Sequence, residues 1–338
     1  MKKGIAKLKI LLVCMKHDYG DPARGTSYEW NHFYLGLQKH FDDVSLFDFF
    51  GIHQSLGQKG MQDALHDKVL KEKPDVTIFS LYTDQFSTEF VKSLQGLTKT
   101  LCFFHDDGWR KEFSEKWAPC FDAFTTTDPA GVRKYKRAGL EHAVFVPFGV
   151  NESLFFPDLN IEKDIDVSFV GAWHPYREWL VSRLQKKGIN VEVYGYRWPN
   201  GMLSEEKMVE VFQRSKISIN MTNCPSWDVR YLFSSPRAIL NRIRSPKTYE
   251  QIKGRHFEIP ACGTLQLSYY VDGLEKVFEL GEEVVIYQTP EELGDKVSLY
   301  LNDYEERMRV TENGLNRVLK DHAYGRRFVQ VFKSLGWD

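Results

Sequence analysis

The chain has 338 residues, 42% of them hydrophobic and 27% charged, and a formal net charge of -1. That length exceeds what one hydrophobic core usually fills, so two domains are expected, and the composition is that of a folded globular protein rather than a disordered one. A near-zero charge supplies no field for gripping a polyanion, which argues against a nucleic-acid binder. The cysteines, Cys14, Cys102, Cys120, Cys224 and Cys262, are scattered without a CxxC pair; this argues against a disulfide framework or a zinc site and fits a reducing, cytoplasmic setting.

In chain order, the opening "MKKGIAKLKILLVCMKHD" carries an apolar run only from Ile10 to Met15 before charge returns, so it reads as a first strand and not as an export signal. No segment approaches the roughly 18 consecutive apolar residues of a membrane span, which limits any membrane contact to a peripheral one. A polar glycine loop, "KHDYGDPARGTSYEW", then enters a helix with Thr26 or Ser27 as its cap. "DVSLFDFF", "DVTIFSLY", "TKTLCFFH", "AFTTTD" and "AVFVPFG" read as further strands, separated by amphipathic stretches such as "MQDALHDKVLKE" and "PAGVRKYKRAG". Near-continuously apolar strands joined by such crossovers imply a parallel sheet covered on both faces.

Residues 150–162, rich in Asn, Pro and Asp, read as a linker. The pattern then restarts with "DVSFVGAW", "NVEVYGY", "KISINMT", "TLQLSYY" and "VVIYQT", and closes on three consecutive helical stretches. The expected division is residues 1–155, residues 156–320, and a final helix at 321–338 crossing back to the first domain. Residues 222–249 read as an irregular loop, too long for an ordinary connection and placed where long loops commonly carry function.

The residues that invite chemistry sit at strand ends. In "YEQIKGRHFEIPACG", Lys253 and Arg255 flank Gly254 ahead of a predicted helix, where backbone N–H groups and a guanidinium favour anions. Glu258 falls in the first turn of that helix; it reads either as an acceptor for ribose hydroxyls or as an ordinary helix N-terminal acid. Between Arg230 and Arg255 stand seven basic residues and one acid, Glu250, which makes an electropositive rim or a solvated loop. "SFVGAWHPYREWL" ends a strand at Gly171 and places Arg177 near the start of the next helix, with a plain surface arginine as the alternative. "LCFFHDDGWR" sets His105, Asp106 and Asp107 at a strand tip, Asp107 also being a candidate helix cap. A metal is not expected there, because neither aspartate lies beside another His or Cys at ligand spacing. Trp198 in "YGYRWPNG" reads as a stacking platform for a nucleobase or as core packing.

Glu250 and Glu258 have the spacing of the paired-glutamate motif of GT-B glycosyltransferases of the family 4 type. The stretch "KGRHFEIPACGTLQLSYYVDGLEKVFELGEEVVIY" closely resembles the CgeB-like, or spore maturation protein, branch. The resemblance runs on through "FHDDGWR", "TTTDPAGVRKYKRAG", "DVSFVGAWHPYREWL", "SKISINMT" and "NGLNRVLKDHAYGRR". It implies an α/β GT-B fold of two Rossmann-like, doubly wound domains facing a central cleft. It also implies a glycosyltransferase that moves a sugar from a nucleotide-diphosphate sugar to an acceptor with retention of configuration, without a metal or a separate cofactor.

By that resemblance Glu258 contacts the ribose and Glu250 the donor sugar or reacting centre. Gly171, Arg177, Lys253, Gly254 and Arg255 surround the diphosphate, with Lys253 standing in for a lysine that the pattern has after the arginine. His105 and Asp106 orient the sugar or acceptor, and the loop holding Gly25 and Glu29 borders the acceptor side. The acceptor itself (glycan, protein, lipid-linked or small molecule) is left open. Two rival readings share these features: a nucleotide-sugar epimerase of the same fold, and a non-catalytic sugar-binding protein of two αβ lobes.

Overall fold

The computed structural model describes residues 4–224, 226–245, 247 and 249–337. Two compact units emerge, one from Met1–Asn151 with Asp321–Asp338 and one from Glu152–Lys320. In the first, six parallel strands are β1 (Lys9–Cys14), β2 (Asp43–Asp48), β3 (Val76–Phe79), β4 (Lys99–Phe103), β5 (Ala123–Thr126) and β6 (Ala143–Phe145), in the order β2-β1-β3-β4-β5-β6. The inner strands β1, β3, β4 and β5 are almost wholly buried, since side chains that alternate between two covered faces leave neither set to solvent, whereas the edge strands β2 and β6 are mostly half-buried. Along β1, Leu11 and Val13 enter one core while Ile10, Leu12 and Cys14 enter the other. The closing helix Tyr324–Ser334 covers that second face with Tyr324, Phe328, Val331 and Phe332, the spacing of one helical stripe.

The second unit repeats the plan with β7 (Ile165–Val170), β8 (Glu192–Tyr194), β9 (Ser215–Asn220), β10 (Leu265–Tyr269) and β11 (Val285–Tyr287), ordered β11-β10-β9-β7-β8 and parallel throughout. In both sheets the order reverses beside the first strand, between β1 and β3 and between β7 and β9. Crevices beyond the carboxyl ends of strands at such points are where ligands of doubly wound sheets bind. The two sheets, each with the doubly wound order, define a two-domain, Rossmann-like GT-B fold.

Two local expectations are corrected. The run "DVSLFDFF" leaves the strand at Asp48, and Phe49 opens the helix Phe49–Glu72 with its ring buried; the helix is broken at Gly57, whose φ of 68° is a glycine conformation. The irregular loop expected over 222–249, of which 225, 246 and 248 lie outside the described residues, carries two helices, Val229–Leu232 and Pro236–Arg244. Asp228 and Ser235 accept the N–H groups of Arg230 (2.9 Å) and Ala238 (3.2 Å), and Pro236 sits in the first turn, so both helices start on strong caps.

Candidate functional site

At the switch point of the second sheet, Arg177 projects from the first turn of the helix Pro175–Lys186. Its guanidinium donates to Met221 O (2.7 and 3.1 Å), Thr222 O (3.1 Å) and Ala172 O (2.8 Å), tying the loop after β7 to the loop after β9. Three of its five N–H groups are thereby engaged, and two remain. It lies over the Phe169 ring, 5.1 Å from the centroid. Gly171 makes room for this: a Cβ there would come within 2.9 Å of Phe169 and 3.4 Å of the guanidinium. Burial draws the Arg177 pKa down to about 10, against the opposing pull of Glu250, so the group remains cationic at neutral pH.

Glu250 faces the same place. Its Oε1 accepts the Thr222 hydroxyl and the N–H groups of Asn223 (2.8 Å) and Cys224 (2.9 Å), so one carboxylate oxygen holds the loop after β9. Arg177, Glu250, Lys253, His256, Asn220 and Ser268 help line a cavity of about 60 Å³. That is room for a small polar group, far below the roughly 300–1,000 Å³ of a complete ligand pocket.

Lys253, Gly254 and Arg255 precede and open the helix Arg255–Ala261. Gly254 has φ -50° and ψ -40°, an ordinary right-handed conformation, so the backbone does not by itself demand glycine. His256 fixes this corner, its Nδ1 accepting the Lys253 N–H at 2.9 Å; complete burial lowers its pKa to about 4 and keeps it neutral. Arg255 and Glu258, expected to serve separate parts of a ligand, form an ion pair with each other. Glu258 is 1% exposed, and Arg255 also reaches Val170 O at 3.4 Å. The pairing places an acid and a base at the end of β7.

Sequence reasoning missed His174. Its Nδ1 accepts the Tyr176 N–H at 3.3 Å and so caps the helix bearing Arg177. Burial, then Arg177 and Lys247, lower its pKa to about 4 against Glu250, which suits a neutral acceptor.

Trp198 belongs to the core, 8% exposed and edge-on to Phe169 with centroids 6.1 Å apart. An indole this buried presents no open face to a base, so the stacking expectation gives way to packing.

The first unit assembles a different cluster. Glu29 begins a π-helical segment, Glu29–Tyr34, of the kind often found at functional positions. Its carboxylate lies 3.2 Å from His105 Nε2 and accepts the Ser80 hydroxyl at 3.0 Å, while Ser80 Oγ is 3.1 Å from the same imidazole nitrogen. Ser80 follows β3 and His105 follows β4, so the switch-point edge brings together three groups from three segments. The rings of Phe33, Phe103 and Phe148 pack around the imidazole. Burial raises the Glu29 pKa, but hydrogen bonding and charge from His105 lower it more, and the carboxyl ends below its usual value. Ser80 carried no motif; its one signal was its place at a strand tip.

Asp106 takes a left-handed conformation, φ 54°, and its carbonyl accepts the N–H groups of Trp109 (2.9 Å) and Arg110 (3.0 Å). Asp107 is no helix cap: it is 2% exposed and accepts hydrogen bonds from Thr126, Thr127 and Tyr135, fastening the end of β5. In the preceding loop Ser27 does the capping, accepting the Trp30 N–H at 3.1 Å. Gly25 is exposed, with φ 87°. Among the described residues, no group of three or more His, Cys, Asp or Glu gathers to hold a metal ion, and no helix is long and apolar enough to cross a membrane.

Comparison with known proteins agrees with the fold. Residues 177–333 match the family model described as glycosyl transferase-like, a span that begins at Arg177 and contains Glu250, Lys253, Arg255 and Glu258. No curated protein matches the sequence. Among solved structures, the chain is similar to sucrose-phosphate synthase from Thermosynechococcus elongatus, with a TM-score of 0.62 and 14% identity over 97% of this chain and 99% of that one. It is also similar to Anabaena Alr3699/HepE in complex with UDP, with a TM-score of 0.61 and 11% identity over 97% and 100% of the two chains. A third is a UDP-N-acetylglucosamine 2-epimerase, so titled as putative, from Listeria monocytogenes, with a TM-score of 0.52 and 11% identity over 98% and 97%. At such identities these likenesses establish the GT-B fold and leave the reaction to be argued from the site.

Proposed function

We propose that the protein is a glycosyltransferase of the CgeB-like type that moves a sugar from a nucleotide-diphosphate sugar to an acceptor, with retention of configuration and without a metal. The reading is carried by the convergence of Arg177, Lys253 and Glu250 on one crevice, with the Arg255–Glu258 pair at the end of β7, inside a segment that matches a glycosyl transferase-like model. The remaining N–H donors of Arg177, together with Lys253 and Arg255, take up negative charge on the departing diphosphate, the place where charge develops in the transition state. Glu258 accepts the ribose hydroxyls, and Glu250 approaches the donor sugar with the oxygen that does not hold the loop.

In the reaction a bond forms between the acceptor oxygen and the anomeric carbon as the bond from that carbon to the diphosphate oxygen breaks, and the acceptor proton is released. His105 and Asp106 in the first unit orient the sugar or acceptor, with Glu29 and Gly25 on the acceptor side. A uridine nucleotide is the first donor to test, since one structure of the same fold is described with UDP.

The test is a thermal-shift screen of UDP, GDP, ADP and dTDP sugars, followed by assay of nucleotide release with and without candidate acceptors. Ligands that bind the native state raise its melting temperature. A shift with one nucleotide class, and release that depends on an acceptor, is the expected result. Conversion of the sugar with no acceptor required would assign the epimerase reaction instead, and the absence of any shift would remove the donor site.

A further inference from the structure

The segment between Asn223 and Glu250, both of which line the crevice, carries a surface that the donor site does not use. Nineteen large hydrophobic side chains are exposed among the described residues, and seven of them fall in the short stretch 227–249. Trp227 is 70% exposed, Phe233 83% and Ile243 76%. Single exposed hydrophobics need no explanation, but a concentration of this kind marks an interaction surface.

The helices organise it. Val229 and Phe233, four apart, share one side of the short helix and its end. On Pro236–Arg244 the inward side holds Ala238 and Asn241, while Ile239, Ile243 and Leu240 form an outward stripe. Helical periodicity sets Arg237 and Arg244 along one border of that stripe and Arg242 along the other. Arg242 lies over the Trp227 ring at 3.9 Å. Arg237 and Arg244 have no acidic partner among the described residues; the one acid in 222–249, Asp228, is already paired with Arg230. An apolar stripe bordered by unneutralised guanidinium groups, with a tryptophan at the edge, matches an interface whose inner layer is acyl chain and whose outer layer is phosphate.

We propose that residues 227–244 form an interfacial docking surface for an anionic phospholipid bilayer, the apolar stripe entering the acyl boundary and the arginines meeting the headgroup phosphates. Charge complementarity favours this occupant over a protein groove, since the face offers cations and hydrocarbon with few polar groups to select a peptide. The proposal stands apart from sugar transfer, because binding is read without turnover.

Flotation of the full chain with vesicles of phosphatidylcholine, with and without phosphatidylglycerol, tests it. The protein is expected to float with the anionic vesicles, far less with phosphatidylcholine alone, and less as salt rises. The double substitutions Phe233→Ser with Ile243→Ser, and Arg237→Glu with Arg244→Glu, should each lower the bound fraction about tenfold or more. Both should leave thermal unfolding and any nucleotide-induced shift unchanged, since the altered side chains are exposed. Failure of the unaltered protein to float with anionic vesicles, or equal flotation of the variants, overturns the proposal. So does a dimer that these substitutions dissociate while no flotation occurs, which would make the face a contact between copies of this chain.

Discussion

The switch-point edges of the two sheets are the same place in the same strand order, yet their chemistry differs. Beside β1 and β3 stand an acid, a hydroxyl and an imidazole within hydrogen-bond reach of one another and walled by phenylalanines. Beside β7 and β9 a guanidinium binds backbone carbonyls, and a second guanidinium pairs with a buried glutamate. The topology brings strand tips together in both cases; the residues that stand there decide which groups meet.

The sharpest way to break that contrast is Arg177→Ala. Transfer activity is expected to fall about a hundredfold or more, as when one charge-stabilising donor is removed. Freed carbonyls at Met221, Thr222 and Ala172 should also cost about 2 kcal/mol in denaturant unfolding. Retention of full activity would remove Arg177 from the donor site. Glu258→Ala should abolish the nucleotide-induced thermal shift, and an undiminished shift would move the ribose contact elsewhere.

His256 makes a pH-dependent test of the same edge. Burial holds its folded-state pKa near 4, below the ordinary histidine value of about 6.5, so protonation favours the unfolded chain. Its contribution to stability is therefore intact above about pH 6.5 and is lost as pH falls toward 4, by about 3 kcal/mol over that window. A His256→Gln variant should lose correspondingly less stability than the parent between the two pH values, which chemical denaturation at each pH measures. At the other edge, Glu29→Gln should lower the transfer rate about tenfold through a misplaced imidazole while leaving the nucleotide shift intact. A loss of that shift would erase the division of labour. The smallest effect on the site is expected from Trp198→Phe, which keeps an aromatic ring in the core and should leave the nucleotide shift unchanged.

Much of the fold was legible in the sequence. Every predicted strand is present, because parallel strands with both faces covered leave short apolar runs in the sequence. One run was carried into a helix, at Phe49 and Phe50, because aromatic residues suit a buried helix start as well as a strand. The two helices within 222–249 were signalled by Asp228, Ser235 and Pro236, but the density of Ser, Pro and Arg outweighed those caps. At the candidate site, the sequence pointed to Arg177, Arg255 and Glu258 as strand-end residues without revealing that two of them pair. Ser80 was invisible, because a serine ending a strand has no spacing that ties it to a glutamate 51 residues earlier.

The sequence by itself determined the alternation of strands and helices, the doubling of that alternation, and the local excess of basic residues after β9. These follow from periodicity and composition, which act over a few residues at a time. Only the tertiary structure decided that Glu250 spends one oxygen on the loop it faces, that Trp198 is core, that Asp107 fastens β5 while His105 meets Glu29, and that an apolar stripe bordered by arginines stays uncovered. Each of these depends on which atoms from distant segments come within hydrogen-bond or van der Waals reach, and that is set by packing rather than by neighbours in the chain.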